Sequence, residues 1–204
     1  MPFLSSIASG SARGYGFGRA SAAIAGATNS YFPIASYTVP SGGLSLITFA
    51  NIPQTFSHLE IRMMVRNTTS ADDLKVNFNN DAGSNYSYHS IYTYLATLSY
   101  QRSASSTAML TLANGSGPAP ATNVFCAQIL KINDYTSTSK NKVMTFTGGY
   151  STDGSSSNIN YEGYGVGSGM WYPTTPVAIT SISFDPAANR DFAEYSNISL
   201  YGVN

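Results

Sequence analysis

The sequence predicts an all-β chain: an antiparallel β-sandwich over residues 31–204, preceded by an extended N-terminal arm over residues 1–30. Three observations carry this. Residues 56–66 alternate, with Leu59, Ile61, Met63 and Val65 on one parity and His58, Glu60, Arg62 and Arg66 on the other. A period of two sends successive side chains to opposite faces, so the stretch reads as a strand with one apolar and one charged face, Met64 alone breaking the polar parity. The composition holds 15 Tyr and 10 Phe with abundant Ser and Thr and no long Ala/Leu/Glu/Lys run, which favours strands over helices. Turn residues recur about every 8–12 positions, the spacing of a two-sheet sandwich.

Taken in order, residues 1–30 carry Gly, Ser and Ala, no acidic residue, and Arg13, Tyr15, Phe17 and Arg19 interleaved with glycines. That is too glycine-rich for a stable helix and too short for a core, so it reads as an arm able to order against a partner. Strand signals start at Tyr31, punctuated by Pro33 and by 40–43. Residues 44–49 read as a strand and 52–54 as the loop into the alternating stretch. Asn67 to Asp72 turns the chain. Leu74, Val76 and Phe78 alternate with Lys75, Asn77 and Asn79, giving a strand with one wet face, and 79–85 is a loop by its Asn, Asp and Gly content.

The tyrosine-rich segment 86–100 reads as a strand edge, with a short helical turn as the alternative. Residues 109–112 are a strand and 114–120 a loop. Residues 124–132 are nearly all apolar, as in a central strand covered on both faces. After the turn at 134–141 comes a strand over 142–146. The Gly/Ser/Tyr segment 148–169 reads as a mobile hairpin or surface loop feeding Trp171. Ile179 and Phe184 differ in parity, so a bulge or bend is expected between them. A loop at 185–191 precedes a terminal strand through Ile198, Leu200 and Tyr201 to Val203. The total is nine to eleven strands without an internal repeat.

At 204 residues one all-β domain is the simplest count. Charged residues are 10% of the chain, with ten basic against ten acidic, so no net field steers it toward nucleic acid or an anionic bilayer. No stretch approaches the 18 or so apolar residues of a membrane span, and the N-terminus lacks the continuous apolar region of a secretory signal. The single cysteine, Cys126, excludes an intramolecular disulfide and reads as a small buried hydrophobe rather than a reactive thiol.

Chemistry-bearing patterns are sparse. His58, His89 and Cys126 form no metal-ligand spacing. Asp72, Asp73 and Asp81 are the only loop carboxylates with a case for Ca²⁺, weighed against ordinary turn capping. Glu60, Glu162 and Glu194 are the candidates for a glycosidase pair, but nothing in the sequence links two of them. The glycines at 14–18 follow no strand, so a phosphate cradle has no support. Trp171 and Tyr172, with the 86–100 tyrosines, are the glycan-contact candidates, because an exposed ring stacks on a sugar's C–H face. The competing reading is that Trp171 closes the end of the core. Asn67, Asn85, Asn114 and Asn197 open glycosylation triplets, which mean little without a secretory signal.

The run FANIPQTFSHLEIR at 49–62, YTSTSKNK at 135–142, ITSISF at 179–184 and the closing SLYGV at 199–203 together resemble a family of tailed-bacteriophage virion structural proteins. RGYGFGRA at 13–20 is similar to N-terminal leaders on appendage proteins of phages, cyanophages included. The resemblance spans most of residues 30–204, and its motifs are fold determinants rather than catalytic residues. It implies a jelly-roll-like sandwich that acts without catalysis or cofactor as a surface-exposed tail appendage or fibre subunit in the virion. Residues 1–30 would anchor it, through Arg13, Tyr15, Phe17 and Arg19. Its expected partners are further copies of itself (a trimer, on this reading), other virion proteins and host surface glycans, with no nucleic acid and no membrane. A capsid decoration protein and a carbohydrate-binding module are the alternatives. The module predicts sugar affinity lost in Trp171→Ala. A hydrolase is the weakest reading.

Overall fold

The computed structural model describes residues 30–68, 73–94, 97–111, 124–150 and 163–204. It contains twelve strands: β1 Tyr31–Thr38, β2 Ile47–Phe49, β3 His58–Val65, β4 Leu74–Phe78, β5 Tyr86–Tyr94, β6 Thr97–Ser106, β7 Met109–Thr111, β8 Cys126–Asn133, β9 Lys142–Tyr150, β10 Gly163–Trp171, β11 Ile182–Pro186 and β12 Asn197–Val203. They form an eight-stranded sheet in the order β1-β12-β3-β8-β9-β10-β5-β6 and a four-stranded sheet in the order β2-β11-β4-β7. The registers from β12 to β6 in the large sheet and throughout the small one are antiparallel. From β2 to β11 each connection crosses to the other sheet, except the β5–β6 hairpin and the β8–β9–β10 meander. Counting that meander as one strand leaves the eight-strand winding of a jelly roll, with β12 and β1 added beside β3. The expected fold class is the observed one.

The strand that anchors the argument behaves as its alternation dictates. Leu59, Ile61, Met63 and Val65 are buried, and they share one core with Leu130, Ile132, Met144 and Phe146 of the same sheet and with Val76, Phe78, Ile182 and Phe184 of the facing one. Inward glycines let the two layers close up. A Cβ on Gly169 of β10 would overlap the Met109 thioether arriving from β7 of the other sheet. Pro33 lies on β1, an outermost strand, which is where a sheet tolerates proline.

The strand reading of 86–100 holds over its described residues, which lie in β5 and β6 with a register shift between Tyr86 and Tyr88. Other expectations are refined or revised. Of the two readings of 148–169, hairpin or surface loop, the described residues show the paired one, with β9 and β10 in register from Gly163↔Tyr150 to Trp171↔Lys142. Residues 151–162, and the loop expected at 114–120, lie outside the described residues. Between Ile179 and β11 the chain bends where the Asn79 side-chain oxygen accepts from the N–H groups of Thr180 and Ser181, at 2.8 and 3.1 Å. The turn at 134–141 is closed by Lys142, whose buried Nζ donates to the Ser137 and Lys140 carbonyls at 2.5 and 2.8 Å. Burial lowers this lysine's pKa, and the nearby Asp134 charge opposes that shift.

β8 departs most informatively. Its burial alternates strictly, with Cys126, Gln128, Leu130 and Ile132 buried and Ala127, Ile129, Lys131 and Asn133 exposed. The near-continuous apolar run is therefore covered on one face only.

Candidate functional site

The antiparallel registers align the outer face of the large sheet into rows running across its strands. One row passes from β12 to β6 through Ser199, Arg62, Ile129, Thr147, Val166, Ile91 and Tyr100. Beside it runs Asn197, Met64, Ala127, Gly149 and Tyr164, continued by Thr93 and Leu98. On its other side lie Tyr201, Glu60, Lys131, Thr145, Ser168, His89 and Arg102. Two rows rich in apolar groups thus border a polar and charged one.

The apolar character is strongest at the β6 end. Leu98 is 71% and Tyr100 75% exposed, and Ile91, Val166 and Tyr164 are also exposed. Among the described residues no strand pairs with the outer edge of β6. At the β12 end the rows turn polar. The hydroxyls of Ser36 and Ser199 share a hydrogen bond of 2.8 Å, and Asn197 Nδ2 donates to Thr38 Oγ1 at 2.9 Å.

Two hollows indent this face. The first, about 580 Å³, lies over β12, β3, β8, β9 and β10. Its origin is local: Ala127 sits opposite Gly149 in register and is short beside Met64, while the Tyr164 ring lies against Gly149. On one wall the Arg62 guanidinium lies 5.1 Å from the centroid of the Tyr201 ring, with its Nε donating to Glu60 Oε1 at 2.8 Å. On the other, Thr147 Oγ1 and the Tyr164 hydroxyl are 3.0 Å apart. The second hollow, about 790 Å³, lies over β9, β10, β5 and β6, and His89, Arg102, Ser168 and Met170 contribute to its lining.

The sequence-predicted site residues fall elsewhere. Arg13, Tyr15, Phe17 and Arg19 lie outside the described residues. Trp171 is 2% exposed and has no open ring face for a sugar. It stacks on Tyr86, with centroids 6.4 Å apart and 19° between planes, and meets Phe78 edge-on at 5.7 Å. Its indole N–H donates to Asp81 Oδ2 at 2.7 Å. The residue closes the end of the core, so the glycan assignment for Trp171 is corrected. Tyr172 is half-buried and its hydroxyl donates to the Ala104 carbonyl at 2.6 Å, which ties the ring to the β6 backbone.

The remaining candidates are equally committed. Asp81 accepts from Trp171, from the Gly83 N–H at 2.8 Å and from Asn85 Nδ2 at 2.9 Å, so both carboxylate oxygens serve the loop. Burial pushes its pKa up, but those hydrogen bonds together outweigh burial and hold it below the ordinary value. Burial raises the neighbouring Tyr86 hydroxyl to about 12, the Asp81 charge adding to the effect. Glu60, expected on a wet face, is 4% exposed, flanked by Arg62 and with Lys131 Nζ at 3.9 Å. Glu194 hydrogen-bonds the exposed Tyr195 hydroxyl, raising that phenol's pKa. Glu162 and Asp72 lie outside the described residues. Among the described residues no cluster of three His, Cys, Asp or Glu is placed to hold a metal, and no helix is long and apolar enough to cross a membrane. Cys126 is buried, and desolvation lifts its thiol to about 12, far from thiolate chemistry at neutral pH.

No family model matches this chain, and no curated protein matches it. Among solved structures, the Caenorhabditis elegans galectin LEC-6 aligns over 83% of this chain and 95% of that one, at 7% identity and a TM-score of 0.30. A likeness that distant transfers no property between the two chains.

Proposed function

We propose that this chain is a non-enzymatic structural subunit of a bacteriophage particle, exposed as a tail appendage or fibre. Residues 1–30 serve as the anchor and the sandwich as the body that assembles and presents surfaces. The observation that carries this reading is the open apolar end of the large sheet, where Ile91, Leu98, Tyr100 and Val166 are exposed beside the edge strand β6. Contiguous exposed apolar rows beside an edge strand are an aggregation hazard in a free monomer and a contact surface in a subunit. A β8 that is apolar on both parities yet covered on one face supports the same reading. The resemblance of residues 49–62, 135–142 and 179–203 to tailed-phage virion proteins agrees with a role performed by contacts alone. The partners are further copies of this chain and other virion proteins.

The same open face favours a second reading, a capsid decoration protein whose arm lies across neighbouring shell subunits. One experiment addresses both. The full chain and a chain starting at Tyr31 are compared by light scattering and by docking to isolated heads and isolated tails from particles that lack the protein. The proposal expects both chains to fold and only the full chain to dock, on tails. Docking on heads selects the decoration reading, and equal docking by the shortened chain removes the anchor role from residues 1–30.

A further inference from the structure

We propose that the hollow over β12, β3, β8, β9 and β10 is a saccharide-binding site, taking one or two sugar rings of a surface glycan. The inference deepens the appendage reading and rests on it for its biological setting, while the binding itself belongs to the isolated protein. The hollow is shallow and opens widely to solvent, with about 580 Å³ of space, so it suits a ring laid on the sheet rather than a molecule enclosed by it.

The lining chemistry is amphipathic in the manner a sugar requires. Tyr164 is 59% exposed and offers an aromatic ring to the C–H face of a pyranose. Beside that ring the Thr147 hydroxyl pairs with the Tyr164 hydroxyl, and across the hollow lie Ser199, hydrogen-bonded to Ser36, and the Arg62 guanidinium, a planar fork of N–H donors. That guanidinium is fixed by its contacts with Tyr201 and Glu60, so little side-chain freedom is lost when a ligand oxygen arrives. Glu60 is shared between Arg62 and Lys131, so the Arg62 side of the hollow is mildly basic and suits an acidic as well as a neutral sugar.

The test uses an array of neutral, N-acetylated and sialylated oligosaccharides, probed with the full chain and three variants whose melting temperatures are measured in parallel. Tyr164→Ala removes the stacking ring. Ala127→Phe fills the hollow from an exposed position. Tyr100→Ser alters the β6 end and serves as the control. The expected result is binding by the wild type, weakened at least tenfold in Tyr164→Ala and Ala127→Phe and retained in Tyr100→Ser. Absence of array binding at millimolar ligand overturns the inference, as does binding that neither hollow variant weakens. A change in oligomeric mass in the hollow variants without sugar binding also overturns it, by assigning the hollow to a subunit contact. Particle docking, measured separately, reads the appendage proposal: lost sugar binding with intact docking defeats only the site, and the converse defeats only the particle role.

Discussion

Trp171 and Asp81 make a junction in which one residue's burial depends on the other's charge. The indole N–H is taken out of water and given a carboxylate in return, a charge-assisted hydrogen bond that is stronger than a neutral one. Trp171→Ala is expected to cost about 3–5 kcal/mol, the range for deleting a buried large aromatic, read as a shift in the urea midpoint at unchanged slope. Asp81→Asn leaves donors without their charged acceptor and is expected to cost about 1–3 kcal/mol at neutral pH. The pH dependence has a definite sign. A carboxylate whose folded-state pKa is depressed contributes stability that is complete above its unfolded value, about 4, and is lost as pH falls through the lower folded value. Denaturation midpoints of wild type and Asp81→Asn should therefore differ at pH 7 and converge as the pH drops below 4. A gap that stays constant with pH would remove the charge from the explanation.

At the scale of elements, glycines and apolar runs account for the main differences between sequence and structure. Residues 148–169 leave a hairpin and a loop both open because glycine lowers strand propensity, yet glycine within a strand also marks close approach of another group. Gly148 faces Gln128, Gly167 faces the Phe146 ring and Gly169 faces Met109. Gly169→Val should destabilise the fold by about 1–3 kcal/mol through overpacking between the sheets. A melt unchanged by that substitution would mean that the layers are not held at the spacing described. The alternation of β3 and of β4 was fully legible, because a single covered face imposes period two on its own strand. β8 was not, since an apolar residue on the open face looks the same in sequence whether its cover comes from this chain or from another.

For the whole molecule, the fold class followed from alternation and turn spacing, but the candidate surface did not. Arg62, Ile129, Thr147, Tyr164 and Tyr201 converge only because five strands from β3 to β12 pair in particular registers. No local pattern encodes that. Trp171 attracts attention as a lone tryptophan, and its aromatic size serves the core instead, while open rings on the sheet's outer face are those of Tyr100 and Tyr164. The division of that face into an apolar end toward β6 and a polar hollow toward β12 is the basis for an assembling, presenting subunit.

The most direct measurement of that account is the solution mass of the full chain by light scattering across micromolar concentrations, beside a Leu98→Lys/Tyr100→Lys variant. Both substitutions sit on exposed positions and leave the core untouched. The account predicts a defined multiple of the monomer mass for the wild type and the monomer mass for a variant of equal thermal stability. A wild type that remains monomeric throughout, or a variant that assembles as the wild type does, would contradict it.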